Sequence, residues 1–154
     1  MVKGARLSYL LRPAQVALSQ PLAEILQEFG LTPSQYMVLS IIKEHKTGIF
    51  SAALARRLGV APQSSNEIIA GLERGELVRR AEDADNRRVL RLGLTPKGSA
   101  LLAKCDRRVD RFEQQFYGGL TASEQSQLRA MLVTVIRESR ERLGSDSLGL
   151  AAAR

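Results

Sequence analysis

The sequence predicts a mainly α-helical fold with a small β-wing: a winged helix-turn-helix core joined to a helical arm. Three observations predict it. Apolar residues recur at three- and four-residue steps over most of the 154 residues, as helices with one buried face require. Ser51 to Arg74, SAALARRLGVAPQSSNEIIAGLER, reads as two short helices and a tight turn. After Gly75 the apolar period falls to two, the mark of strands lying on a core.

From Arg6 to Phe29, Leu7, Leu10, Leu11, Leu18, Leu22, Ile25 and Leu26 keep a helical period. Pro13 and Pro21 interrupt it, so a kinked helix, or a loose start and a shorter helix, is expected. Gly30 ends it. Thr32, with Pro33 in the first turn and Gln35 three residues on, forms a capping box for a second helix that runs to about Lys46. Gly48 to Phe50 is a short extended link.

Ser51 is the expected N-cap of the third helix, and Gly59 ends it by taking a left-handed backbone conformation. Pro62 suits the first turn of the fourth helix, whose inward face is Ser65, Ile68, Ile69 and Leu72. Ala55, Gly59 and Ile68 have the spacing of a helix-turn-helix: a small residue at the crossing, a turn glycine, a branched anchor. The outward face carries Gln63, Ser64 and Asn66 in the helix's N-terminal half. Amides there can pair with adenine edges, and Ala70 and Gly71 permit close approach. The plainer reading is a helical hairpin with a solvated polar face.

Leu77 to Ala81 and Val89 to Leu94 are the candidate strands, with the polar tip EDADNRR between them. Leu90, Leu92 and Leu94 point one way and Val89, Arg91 and Gly93 the other. Thr95 and Pro96 cap a long helix with Leu101, Leu102, Cys105, Val109, Phe112 and Phe116 as its seam, broken at Gly118 and Gly119. Thr121 and Glu124 make a second capping box before a helix bearing Leu128, Met131, Leu132, Val135, Ile136 and Leu143. Two long helices with narrow seams outside such a core point to a partner surface. Packing on the chain's own first helix is the alternative. Residues 144–154 read as a flexible tail.

Composition narrows the function. Hydrophobic residues make up 44% and the net charge is +7, with arginine outnumbering lysine, which favours phosphate and guanine partners. No apolar run spans a membrane, and MVKGARLSYLLRP lacks the features of a signal peptide, so a cytoplasmic protein is expected. With one Cys and one His, neither an internal disulfide nor a Cys/His metal cluster is expected, and no cofactor is. No paired nucleophile and base or phosphate loop suggests an enzyme. A winged-helix interaction module that binds no DNA is the other reading. It calls for an acidic or neutral wing, whereas this one sets Arg87, Arg88 and Arg91 beside the acidic cluster Glu82, Asp83 and Asp85, and DNA is the favoured partner.

The order of elements and the wing DADNRRVLRLGLTPKG, Asp83 to Gly98, resemble the MarR family of bacterial transcription regulators, over about Leu7 to Arg142. The wing is similar to the family pattern D-P-x-D-R-R followed by L-T-x-x-G, with Ala84 in place of proline and Asn86 in place of the second aspartate. LTPSQYMVL at Leu31 to Leu39 and LARRLGVAPQSSNEIIAGLERGELVRR at Leu54 to Arg80 resemble the second helix and the recognition unit. Ser65 stands where a branched apolar residue is usual and is expected to bond back to the helix backbone. Glu67 departs too. It can accept from a cytosine amino group, repel phosphate, or pair with a neighbouring arginine, and the last is favoured.

The resemblance implies a homodimer on an inverted-repeat operator. Residues 1–30 and 96–143 form the dimerisation region and residues 31–95 the DNA-binding lobe. Gln63, Ser64, Asn66 and Glu67 face bases, and Arg88, helped by Arg87, enters the minor groove. Arg56, Arg57, Arg79, Arg80 and Arg91 are phosphate candidates, of which about half are expected to touch DNA. A repressor released by a small aromatic or phenolic effector is expected, with Tyr9, Arg12, Tyr36 and His45 nearest the crevice. For His45 the plainer role is a hydrogen bond at a helix end. Cys105 reads as a buried small hydrophobe rather than a redox sensor.

Overall fold

The computed structural model describes residues 4–83 and 90–151. Its elements are α1 (Leu7–Gln27), α2 (Pro33–Glu44), α3 (Ser51–Leu58), α4 (Pro62–Arg74), β1 (Val78–Glu82), β2 (Leu90–Leu94), α5 (Pro96–Phe116) and α6 (Ala122–Ala151). Of the expected wing tip Glu82 to Arg88, residues 84–88, with Arg87 and Arg88, lie outside the described residues, as does Val89 of the second expected strand. The chain divides into two compact units, residues 1–112 and 113–154.

In the first unit, α1 is one unbroken helix through Pro13 and Pro21. Each proline removes a backbone donor; at Pro21 the side chains of Leu22, Ile25 and the fully buried Leu26 hold the helix's second half on the core, and burial outweighs the lost bond. Gly30 closes it with φ +70, and the Leu31 amide donates back to the Leu26 carbonyl at 3.1 Å. The Thr32 capping box of α2 is complete: Gln35 N donates to Thr32 Oγ1 (3.2 Å) and Thr32 N to Gln35 Oε1 (2.9 Å). The helix stops at Glu44, short of Lys46.

Ser51 does not cap α3. The Leu54 amide already donates to the Phe50 carbonyl at 2.9 Å, so Phe50 is the capping position and Ser51 the first helical residue. Gly59 ends α3 as expected, with φ +70.

β1 and β2 pair antiparallel in the register Val78↔Leu94 to Glu82↔Leu90. Ile49 adds a one-residue bridge to the other edge of β2, exchanging two backbone bonds with Leu92 (2.9 and 3.1 Å). Leu92 is buried while Leu90 is 44% exposed, so the ribbon leaves the core along its length. Thr95 then sets the start of α5. Its Oγ1 accepts from the Gly98 amide at 2.9 Å and donates to the Glu76 carbonyl at 2.7 Å. The core gathers Leu26, Leu39, Leu54, Ile69, Leu72, Leu92 and Leu102, so α1 to α5 and β2 share one apolar centre. Lys43 and Arg108 add ion pairs to Asp106 (2.7 Å) and Glu28 (3.0 Å), tying α2 and α1 to α5.

In the second unit, Thr121 and Glu124 form the expected capping box at the head of α6. Thr121 N donates to Glu124 Oε2 (2.7 Å) and Glu124 N to Thr121 Oγ1 (3.3 Å). The bonds from Thr121 hold the Glu124 carboxyl below its ordinary range. Helix α6 continues to Ala151, beyond Leu143, where the apolar pattern stops; no proline interrupts it. Along it Met131, Val133, Val135 and Ile136 are exposed. Among the described residues, no helix is long and apolar enough to cross a membrane.

Candidate nucleic-acid interface

The two sides of α4 differ sharply. Ser65, Ile69 and Leu72 are buried to 1% exposure or less, with Ile68 half-buried beside them, so the inner face cannot rotate outward without opening the core. Ala55 of α3 is buried at the crossing. Gln63, Ser64, Asn66 and Glu67 are therefore all exposed at the helix's N-terminal end. Ala61 is the capping residue, and among the described residues no side chain caps the helix. The first amides of α4 thus keep their hydrogen-bonding capacity, at the end where the helix dipole favours anions. Ala70 and Gly71 are half-buried, and Gly71 turns towards α2, where an added Cβ would lie 3.5 Å from Gln35 Nε2.

Ser65 departs from its expected bond. Its Oγ is buried and makes no hydrogen bond among the described residues. Glu67 is exposed and forms no ion pair among them, so the favoured pairing with a neighbouring arginine is not made.

The arginines fall into two sets. Arg56 on α3 and Arg79 on β1 are exposed. Three others are engaged. Arg57 donates to Glu44 Oε2 and to His45 Nε2, both at 3.1 Å, and Arg80 Nε donates to Glu73 Oε1 at 2.9 Å. Arg91 Nε donates to Asp83 Oδ2, and the guanidinium carbon lies 4.2 Å from the Phe50 ring centroid.

Beside β1 and β2 lies a groove of about 530 Å³, whose lining includes Lys46, Thr47, Gly48, Arg79, Asp83 and Arg91. Lys46 and Phe50 escaped the sequence reading. Their places depend on a loop that folds against β2, and charge and ring were the only local signals.

The effector candidates have separate surroundings. Tyr9 is 69% exposed on the first half of α1, and Arg12 is exposed on the same stretch. Tyr36 Oη donates to Asp106 Oδ1 at 2.9 Å, and burial together with that carboxylate pushes the phenol well above its ordinary value. His45 Nδ1 bonds the Ile41 carbonyl at 2.7 Å. A carbonyl only accepts and a guanidinium only donates, so the ring carries its proton on Nδ1 and accepts at Nε2. His45 thus has the helix-end role. None of the four lines the groove beside the strands. Cys105 is fully buried, and burial raises its thiol pKa, with Asp106 adding to the effect. Burial and a raised pKa both disfavour the thiolate that a reactive cysteine needs. No group of three or more His, Cys, Asp or Glu that could hold a metal occurs among the described residues.

A family model described as MarR family matches residues 29–89. The HTH-type transcriptional repressor Rv2887 of Mycobacterium tuberculosis is 31% identical over 146 residues, covering 95% of this chain and 99% of that one. A solved structure of the M. tuberculosis MarR family protein Rv2887 with salicylic acid superposes with TM-score 0.68 at 29% identity, covering 88% and 99%. The S. aureus MepR–DNA complex gives TM-score 0.74 at 25% identity, covering 86% and 96%.

Proposed function

Because the chain belongs to the MarR family of transcription regulators, we propose that it acts in the cytoplasm as a homodimeric repressor that reads an inverted-repeat operator through α4. The observation that carries this reading is the division of α4. Its inner face is locked by Ser65, Ile69 and Leu72, and that lock holds Gln63, Ser64, Asn66 and Glu67 outward. An α-helix presented by its N-terminal half is the form that enters a major groove. Asn66 and Gln63 have the amides for adenine, and Ser64 suits a base or a phosphate. Unpaired, Glu67 suits a cytosine amino group or rejects sequences that bring phosphate near it.

Arg56 and Arg79 are the first phosphate contacts in this reading, with Arg57 and Arg80 joining if DNA displaces Glu44 and Glu73. Arg88, with Arg87, takes the minor groove on the strength of the wing's resemblance. Residues 31–95 form the DNA-binding lobe. Residues 1–30 and 96–143 form the dimerisation region, and residues 144–154 the tail. The exposed apolar side chains of α1 (Leu7, Leu11, Val16) and of α6 (Met131, Val133, Val135) support a second copy as their cover. The salicylic acid bound to Rv2887 supports a small aromatic effector, with Tyr9, Arg12, Tyr36 and His45 as its candidates. Such a ligand acts only by favouring a lobe spacing that does not match DNA.

The test is selection of binding sites from random duplex DNA by the purified protein, with affinity for the winner followed against salt. An inverted repeat with half-sites about one helical turn apart and a steep salt slope is expected. No enrichment and only weak, salt-labile binding would leave the helix-turn-helix as an interaction module.

A further inference from the structure

Arg91 looks in sequence like one more wing arginine, yet two segments converge on it, the end of β1 and the link at Gly48 to Phe50. Its Nε donates to Asp83, a carboxylate with only 8% of its side chain exposed, across the ribbon at the end of β1. Its guanidinium lies over the Phe50 ring, 4.2 Å from the centroid, and its Nη1 donates to the Gly48 carbonyl at 3.4 Å. The stack uses the planar face and the bonds use the edge, a division open to arginine and not to lysine. The backbone leaves room for this. Gly48 has φ +83, and a Cβ there would lie 2.9 Å from Arg91 Cβ and 3.0 Å from the Leu92 carbonyl oxygen. The neighbouring Ile49–Leu92 bridge fixes the same loop against β2.

We infer that Arg91 is a positioning residue for DNA recognition, which fastens the root of the wing to the link before α3. Asp83 and Leu90 are the two residues from which segment 84–89 departs, and Arg91 joins that root to Phe50, the capping residue of α3. Recognition helix and wing are thereby referred to one frame, so that base and minor-groove contacts are made together without a further ordering cost on binding. Arg91 itself contributes no phosphate contact, because its Nε, one Nη1 donor and one planar face are already engaged within the chain. The inference rests on the regulator reading and makes a demand that reading does not.

The experiment uses the full chain, the operator selected by the wild type, and the variants Arg91→Gln, Arg91→Lys and Phe50→Leu, each with its melting temperature recorded. At a temperature well below melting, all three are expected to bind about ten-fold more weakly, with the slope of log affinity against log salt unchanged. Phe50 carries no charge, so its sharing the effect separates positioning from contact. Loss of only folding stability, with affinity per folded molecule unchanged, overturns the inference. So does a slope reduced by about one for Arg91→Gln, the signature of a lost phosphate contact. If Arg91→Gln fails to fold, Arg91→Lys and Phe50→Leu decide the same question. A wild type that prefers no duplex overturns the regulator reading and this inference with it, an outcome seen before any variant is tested.

Discussion

Tyr36 donates its hydroxyl proton to Asp106 at 2.9 Å while Lys43 donates to the same carboxylate at 2.7 Å, and so one group on α5 holds two residues of α2. Tyr36→Phe removes one of these bonds and leaves the ring in place. A loss of about 1 kcal/mol is expected from denaturant unfolding at neutral pH. The pH dependence follows from the raised phenol pKa. The folded state favours the protonated form, so the stabilisation is complete below the unfolded value of about 10. It falls as pH rises above that value towards the folded one. Wild type should lose stability over that alkaline range more steeply than Tyr36→Phe.

Ser65 supplies a second test. A buried hydroxyl without a partner carries its full desolvation cost, and a helix interior favours alanine over serine. Ser65→Ala should raise stability by about 1 kcal/mol in the same assay, with operator affinity unchanged because the side chain faces inward. A loss of stability would mean that the hydroxyl has a partner.

Gly98 stands where the first turn of α5 meets the backbone before β1. A Cβ there would lie 2.0 Å from the Leu77 carbonyl oxygen, too close for any relaxation confined to side chains. Gly98→Ala should cost at least about 3 kcal/mol and separate β1 from α5, seen as a lowered melting temperature. Gly93→Ala, with no heavy atom near an added Cβ, is the control and should be mild.

Arg79 is exposed beside the groove. Arg79→Gln should weaken binding about equally on every sequence and lower the salt slope by about one. An unchanged slope would remove it from the set of phosphate contacts.

Much of this was legible in the chain because local chemistry decides it. Thr32 with Gln35, Thr121 with Glu124, and Gly59 in its left-handed turn each act within a few residues, and each is found as expected. The L-T-x-x-G motif was legible as a pattern. Thr95 caps the helix as expected, and the reason for Gly98 emerges only in three dimensions, where it admits the Leu77 carbonyl. What local pattern cannot supply is the partner of a side chain. Ser51 looked like a cap, but Phe50 takes that position. Ser65 looked able to bond its own helix and does not. Arg91 was a phosphate candidate by its charge, and two of its partners, Gly48 and Phe50, come from a loop far earlier in the chain. Pro13 and Pro21 left a kinked long helix and a shorter helix open in the sequence, and α1 is one continuous helix through both.

The most direct measurement compares the site preferences of the wild type and of the Gln63→Ala, Asn66→Ala double variant, each selected from the same random duplex pool. An inverted repeat is expected for both, with equal half-site spacing. The double variant should lose its preference at corresponding positions of the two half-sites, at about 1 to 3 kcal/mol per base pair read. Identical preferences for the two proteins would contradict this, because α4 would then not be the element that reads the sequence.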